Sequence, residues 1–292
     1  MDRMSVVEQQ IAPPSRPALR YFGGKWRIAP WIISFFPEHI CYVEPFMGAG
    51  SVLLRKPPST FEYLNDKDDA VVNFFQVLRD HKDELLRQIR QTPFARRELE
   101  LSYSSTSTDP IERARLVYVR CWQGRSGSRL HKTGWRNQIR PSRNKTALRG
   151  FIDDSHLDVV AARLREVGLE CGDYQRVIER YDAPTTLFYA DPPYLGSLRS
   201  TIGYRFDLKQ EEEHRNLAEV FREVAGMVVL SGYQSSLYAE LFEEHGWARR
   251  DRKARMQSGE AVESVWLNPN TLSAHTQLDL FRHTEPPNGE TE

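Results

Sequence analysis

Apolar positions recur along this chain with two different periods, and the two kinds of segment alternate. Short, nearly continuous apolar runs occur at 41–46 (Cys-Tyr-Val-Glu-Pro-Phe), 61–66 (Phe-Glu-Tyr-Leu-Asn-Asp), 185–190 (Thr-Thr-Leu-Phe-Tyr-Ala) and 227–233 (Met-Val-Val-Leu-Ser-Gly-Tyr). Such runs are expected for strands buried on both faces. Two further strands are expected near 248–256 and 262–267. Elsewhere the spacing becomes three and four residues, as in Val71, Phe74, Phe75, Leu78, Leu85 and Ile89, which predicts one long amphipathic helix. Helices are also expected within 25–36, from 49 onward, over 211–226 and over 235–245. Alternation of this kind means a mostly parallel α/β sheet covered on both faces.

The alternation is interrupted between 91 and 170. Helical stretches at 94–103, 110–122 and 153–167, the last with Leu157, Val160, Ala161 and Leu164 on one face, flank a Gly-, Ser-, Asn- and Arg-rich segment that reads as an exposed loop or hairpin. The expected organisation is a discontinuous α/β domain, 18–90 and 171–282, with a helical domain inserted at 91–170. Polar, proline-bearing ends at 1–17 and 283–292 are expected to be disordered tails.

Charge changes the reading of that insertion. The 292 residues hold 40 Lys and Arg against 40 Asp and Glu, which by itself argues against a polyanionic partner. The distribution argues the reverse. Arg113, Arg115, Arg120, Arg125, Arg129, Lys132, Arg136, Arg140, Arg143, Lys145 and Arg149 follow one another without a single Asp or Glu. Segregation of this kind is what a phosphate-binding surface on an otherwise acidic protein requires. A shorter cluster, Arg249, Arg250, Arg252, Lys253 and Arg255, is interrupted by Asp251. Cys41, Cys121 and Cys171 are too widely spaced for a zinc site and too few for a disulfide framework, so no metal is expected. No apolar run has the length of a membrane span and no signal-peptide core is present, so the expectation is a cytoplasmic protein with no membrane partner.

Four short motifs carry candidate chemistry. Glu44-Pro45-Phe46-Met47-Gly48-Ala49-Gly50 follows a strand, where glycines let the backbone approach a ligand closely. Asp66 ends the next strand and is either a helix N-cap or an acceptor for ribose hydroxyls; the order glycine loop, helix, acidic strand tip favours the second. Tyr21-Phe22-Gly23-Gly24-Lys25 could form another wall of the same pocket. Asp191-Pro192-Pro193-Tyr194 ends a strand with two residues that cannot extend a ladder, which holds a carboxylate and a ring in fixed relation.

Tyr-Phe-Gly-Gly-Lys (21–25), Val-Glu-Pro-Phe-Met-Gly-Ala-Gly-Ser-Val (43–52), Leu-Asn-Asp (64–66) and Asp-Pro-Pro-Tyr (191–194), in this order, resemble the Dam-type adenine-specific DNA methyltransferases over about 20–90 and 170–270. The resemblance implies a Rossmann-like, S-adenosylmethionine-binding domain with an inserted helical target-recognition domain, acting on double-stranded DNA. It assigns cofactor contacts to Tyr21, Lys25, Glu44, Phe46, Gly48, Gly50, Asp66, Asp173 and Asp191. Asp191 and the Pro192 carbonyl would receive the amine of a flipped adenine, with Tyr194 stacked on the base. Arg125, Arg129, Lys132, Arg136, Asn137 and Arg140 are the candidate DNA contacts, with Arg136 and Asn137 nominated to read bases. Rival readings are an RNA adenine or DNA amino-cytosine methyltransferase, and a cofactor-sensing DNA-binding protein without catalysis. The segment 124–146 departs from the hairpin by which GATC-specific members read their site, so the resemblance leaves the recognition sequence open. It leaves open too the oligomeric state, a cognate restriction endonuclease as partner, and a bacterial or phage setting.

Overall fold

The computed structural model describes residues 12–125, 132–137, 147–194, 210–256 and 259–282. Seven strands form one sheet: β1 Cys41–Glu44, β2 Phe61–Asn65, β3 Val167–Glu170, β4 Thr186–Ala190, β5 Met227–Gly232, β6 Ala248–Met256 and β7 Gly259–Leu267. Their order is β3-β2-β1-β4-β5-β7-β6, parallel except for β7, which runs antiparallel to both neighbours. The order reverses between β1 and β4, and the crevice at the carboxyl ends of those two strands is where open α/β sheets bind ligands.

Each central strand feeds both layers, since successive side chains point to opposite faces. Tyr42, Leu187, Tyr189, Val229 and Val265 belong to one core, and Val43, Phe188, Ala190, Val228 and Trp266 to the other. Burying one such side chain is worth about 1.5–3 kcal/mol. The first core is covered by α1 Ala29–Ile33, α2 Asp69–Asp80, α3 Lys82–Gln91 and, further out, α5 Pro110–Gln123 and α7 Ser155–Arg163. The second is covered by α8 Tyr174–Tyr181, α9 Glu211–Glu223 and α10 Ser236–Leu241. The remaining helices are α4 Arg96–Ser104, α6 Ala147–Ile152 and α11 Pro269–Arg282. Among the described residues of 91–170, Val117, Tyr118, Trp122 and Leu157 lie in one cluster with Val71, Phe74 and Leu78 and so share the sheet's core. No helix among the described residues is long and apolar enough to cross a membrane.

Four local features differ from the sequence expectation. The long helix is broken at His81, whose φ of −132° leaves the helical region between α2 and α3. The segment after Gly50 forms turns rather than a regular helix, because the Leu53 amide donates to the Glu44 carboxylate instead of to a carbonyl one turn back. Val167–Glu170, of which only Val167 belongs to the expected helix 153–167, is the edge strand β3; its ladder with β2 supplies what four residues interrupted by Gly168 do not signal. Arg16, in the expected tail, is held at Trp122, His156 and the Gly150 carbonyl.

Candidate active site

The crevice between β1 and β4 opens into a cavity lined by Tyr21–Lys25, Glu44–Ala49, Asp66–Asp68, Gly172–Tyr174, Asp191 and Pro193. The structure thus brings Tyr21, Lys25, Glu44, Phe46, Gly48, Asp66, Asp173 and Asp191 together at one place from five separated segments. Gly50 stands behind them and, like Gly48, has a positive φ, 59° and 47°. At Gly48 a Cβ would also come within 3.2 Å of the Tyr21 ring, so both glycines are needed to turn β1 under the cavity.

Asp66 is not the helix cap; Asp68 caps α2 by accepting from the Ala70 amide. Instead the Asp66 Oδ2 accepts from the Gly48 amide at 2.9 Å and Oδ1 from the Asp68 amide at 2.8 Å. Two backbone donors fix the carboxylate at the cavity wall. Asp173 caps α8 through the Gln175 amide and pairs with Lys67 at 3.6 Å, at the rim. Beside it the Tyr174 ring lies 5.1 Å from Phe46. Acidic side chains outnumber basic ones along the wall, with Glu44, Asp66, Asp68, Asp173, Asp191 and Glu213 against Lys25 and Lys67. A cation with hydroxyl donors and a flat apolar group fits this lining.

Glu44 is almost fully buried, and its Oε1 accepts from the Tyr42 hydroxyl at 2.8 Å and the Leu53 amide at 2.7 Å. Burial, reinforced by the nearby Asp191 charge, pushes its carboxyl from 4.5 to about 8 despite those two donors and the opposing charge of Lys56. A carboxyl that binds its proton more tightly folded than unfolded lowers stability as pH rises from about 4.5 to about 8. Glu44→Gln keeps an acceptor for both donors and removes the titration. Its thermal midpoint is therefore expected to fall less than the parent's between pH 5 and pH 8; parallel curves would remove Glu44 from this account.

At the end of β4, Asp191 is gripped on both oxygens: Lys25 Nζ stands 2.9 Å from Oδ2 and the Tyr194 hydroxyl donates to Oδ1 at 2.9 Å. Lys25, only 6% exposed, also donates to the Gly23 carbonyl and lies 4.9 Å from the centre of the Tyr194 ring. Tyr194 is buried against Tyr233 at 4.6 Å. The Pro192 carbonyl makes no hydrogen bond with the described residues.

Two contributors escaped the sequence reading. Asn65, 1% exposed, donates to the Pro45 and Gly172 carbonyls and accepts from the Gly172 amide, tying three walls together. Nothing in Leu-Asn-Asp distinguishes it from a turn residue. Glu263, on β7, is buried near Lys25 and Asp191. Its two-residue spacing from Val265 and Leu267 was the available signal.

Among the candidate DNA contacts, Arg129 and Arg140 lie outside the described residues. Gly124 and Trp135 form a bridge that closes a loop. Arg136 donates to the Gly124 and Arg125 carbonyls, and Arg125 to the Asn137 side chain at 2.9 Å. Arg136, Arg125 and Asn137 thus join the two limbs of the loop, while Lys132 lies exposed beside its far limb.

The profile of a family described as D12 class N6 adenine-specific DNA methyltransferase matches residues 21–256. The chain is 26% identical over 243 residues to a DNA adenine methylase of Haemophilus influenzae, covering 78% of this chain and 82% of that one. It is 25% identical over 240 residues to the DNA adenine methylase of Escherichia coli K12, covering 78% and 84%. To the type II methyltransferase M.MjaIII of Methanocaldococcus jannaschii it is 22% identical over 261 residues, covering 78% and 88%. A match spanning most of the chain, on a sheet whose carboxyl edge gathers these motifs, establishes that this protein belongs to the D12 class of N6 adenine-specific DNA methyltransferases.

Proposed function

We propose that this adenine-specific DNA methyltransferase takes S-adenosylmethionine in the β1/β4 cavity and acts on an adenine flipped out of duplex DNA beside Asp191. The observation that carries this reading is the fixed Asp191 carboxylate next to a cavity whose acidic lining suits a cationic nucleoside. Bound there, the cofactor supplies an electrophilic methyl group. Asp66 would accept the ribose hydroxyls, Phe46 and Tyr174 would hold the base of the nucleoside, and Glu44 would face its cationic end.

The lone pair of the adenine amine is delocalised into its ring and is a poor nucleophile. Hydrogen bonds from that amine to Asp191 and to the Pro192 carbonyl would localise it. Lys25 and Tyr194 hold the acceptor still, so little reorganisation is needed as the amine becomes tetrahedral. The hydroxyl bond to Asp191 also shifts the expected part of Tyr194 from stacking toward holding the carboxylate in place. Arg129, Lys132 and Arg140 would contact DNA phosphates, while Arg125, Arg136 and Asn137 hold one another near the Gly124–Trp135 bridge.

Two measurements test this. DNA from cells expressing the chain is expected to carry N6-methyladenine at a defined sequence, and DNA unchanged from that of control cells would exclude the activity. Asp66→Asn removes one charged acceptor, and losing such hydrogen bonds costs about 1.5–3 kcal/mol, or roughly tenfold or more in affinity. Calorimetry with S-adenosylmethionine reads that loss directly, and unaltered affinity would take Asp66 out of the site.

A further inference from the structure

We propose that one face of the β6–β7 hairpin, carrying Arg250 and Arg252, is a second surface for the DNA backbone. It lies at the opposite sheet edge from β3, on which α2 rests through the Arg79 bond to the Val167 carbonyl, and the 91–170 stretch is tied to the chain ahead of Tyr21 by Trp122, which donates to the Ala18 carbonyl. This rests on the reading of duplex DNA as substrate.

Three observations carry it. First, the hairpin outruns the sheet: β7 pairs with β5 only up to Gly232, opposite Ser264, whereas β6 and β7 stay paired to Met256 and Gly259. The overhang begins at the Arg252–Glu263 pair and stands beyond the carboxyl ends of the parallel strands, the side on which Asp191 lies. Second, Glu263 ties the root of that overhang to the reacting centre. Burial raises its carboxyl pKa, Lys25 opposes the rise and Asp191 adds to it, so all three groups are within electrostatic reach. Third, two of the cations there make no ion pair with the described residues. Arg249 pairs with Glu243 and Asp251, but Arg252 makes no ion pair with the described residues and rests 6.0 Å from the Trp31 ring centre. Among the described residues, Arg250 donates only to the Arg249 carbonyl. Arg27, one turn ahead of Trp31, is exposed and likewise unpaired among the described residues. Positive charge on an edge strand also discourages strand-to-strand association. That role needs no convergence with a second cationic segment at Trp31 and no placement beside the catalytic carboxylate. A polyanion long enough to pass from the inserted segment over the cavity to this edge is a nucleic-acid duplex.

Arg250 and Arg252 share a face, and Lys253 points to the other one. The Arg250→Gln/Arg252→Gln double variant is therefore expected to flatten the log-log salt dependence of DNA binding by about two units, one per phosphate contact. Lys253→Gln should leave the slope where it was. Cofactor affinity and the methylated sequence should not change, because backbone contacts carry no base information. An unchanged slope in the double variant, an equal change in Lys253→Gln, or a relaxed recognition sequence would each overturn the assignment. The parent protein is the control for the underlying reading: if it binds duplex DNA without salt dependence, the DNA reading itself fails, and not the hairpin alone.

Discussion

Asp191→Asn is expected to slow single-turnover methyl transfer to duplex DNA by about 10²–10³, the loss typical of one preorganised electrostatic group. Asparagine is the informative replacement. Either neutral replacement removes the counter-charge of Lys25, which is 6% exposed, but alanine would also leave the Tyr194 hydroxyl without its acceptor and a space where the carboxylate stood. The amide retains one oxygen for the Tyr194 hydroxyl while withdrawing the charge that faces the adenine amine. DNA binding should survive, since phosphate contacts supply most of it. Tyr194→Phe gives the companion result. Had the ring face alone mattered, phenylalanine would keep most of the activity. With Oδ1 of Asp191 held by the hydroxyl, it should instead lower the rate of the chemical step while leaving binding of DNA and cofactor near normal. Transfer by Asp191→Asn at the parent rate would sink the mechanism.

Neutralising Arg129, Lys132 and Arg140 together is expected to flatten the salt dependence of DNA binding by about three log-log units if each contacts a phosphate. Between 50 and 200 mM salt that corresponds to roughly a sixty-fold smaller loss of affinity. Calorimetric affinity for S-adenosylmethionine should not move, because phosphate contacts act on the DNA and not on the cofactor. Arg136 is left intact by design: its guanidinium joins the Gly124 and Arg125 carbonyls, so replacing it would disturb the loop as well as the charge. A slope as steep as the parent's would reduce the basic run to a solvated face.

The strands illustrate how far one dimension carries. Thr186–Ala190 and Met227–Gly232 are buried at every position, and an unbroken apolar run signals that without any partner being known. The four motifs were likewise legible because each is local: glycines with positive φ, an acid at a strand tip, two prolines that end a ladder. Features that depend on a distant partner were not legible. The break at His81 and the strand at Val167–Glu170 arise from packing and from the β2 ladder, which no window of sequence contains.

By itself the sequence determined the α/β class, the strands of the sheet other than β3, the family resemblance and the segregation of positive charge. Those depend on period, order and count. Only the tertiary structure decided that Glu44 and Leu53 divert a helix into turns, and that Asn65 staples the cavity walls. It decided as well that Lys25 and Tyr194 share the Asp191 carboxylate, and that Arg136 joins the limbs of its own loop. Hydrogen bonds and ion pairs act only over a few ångströms, and residues 25 and 191 reach that range only once the sheet has folded.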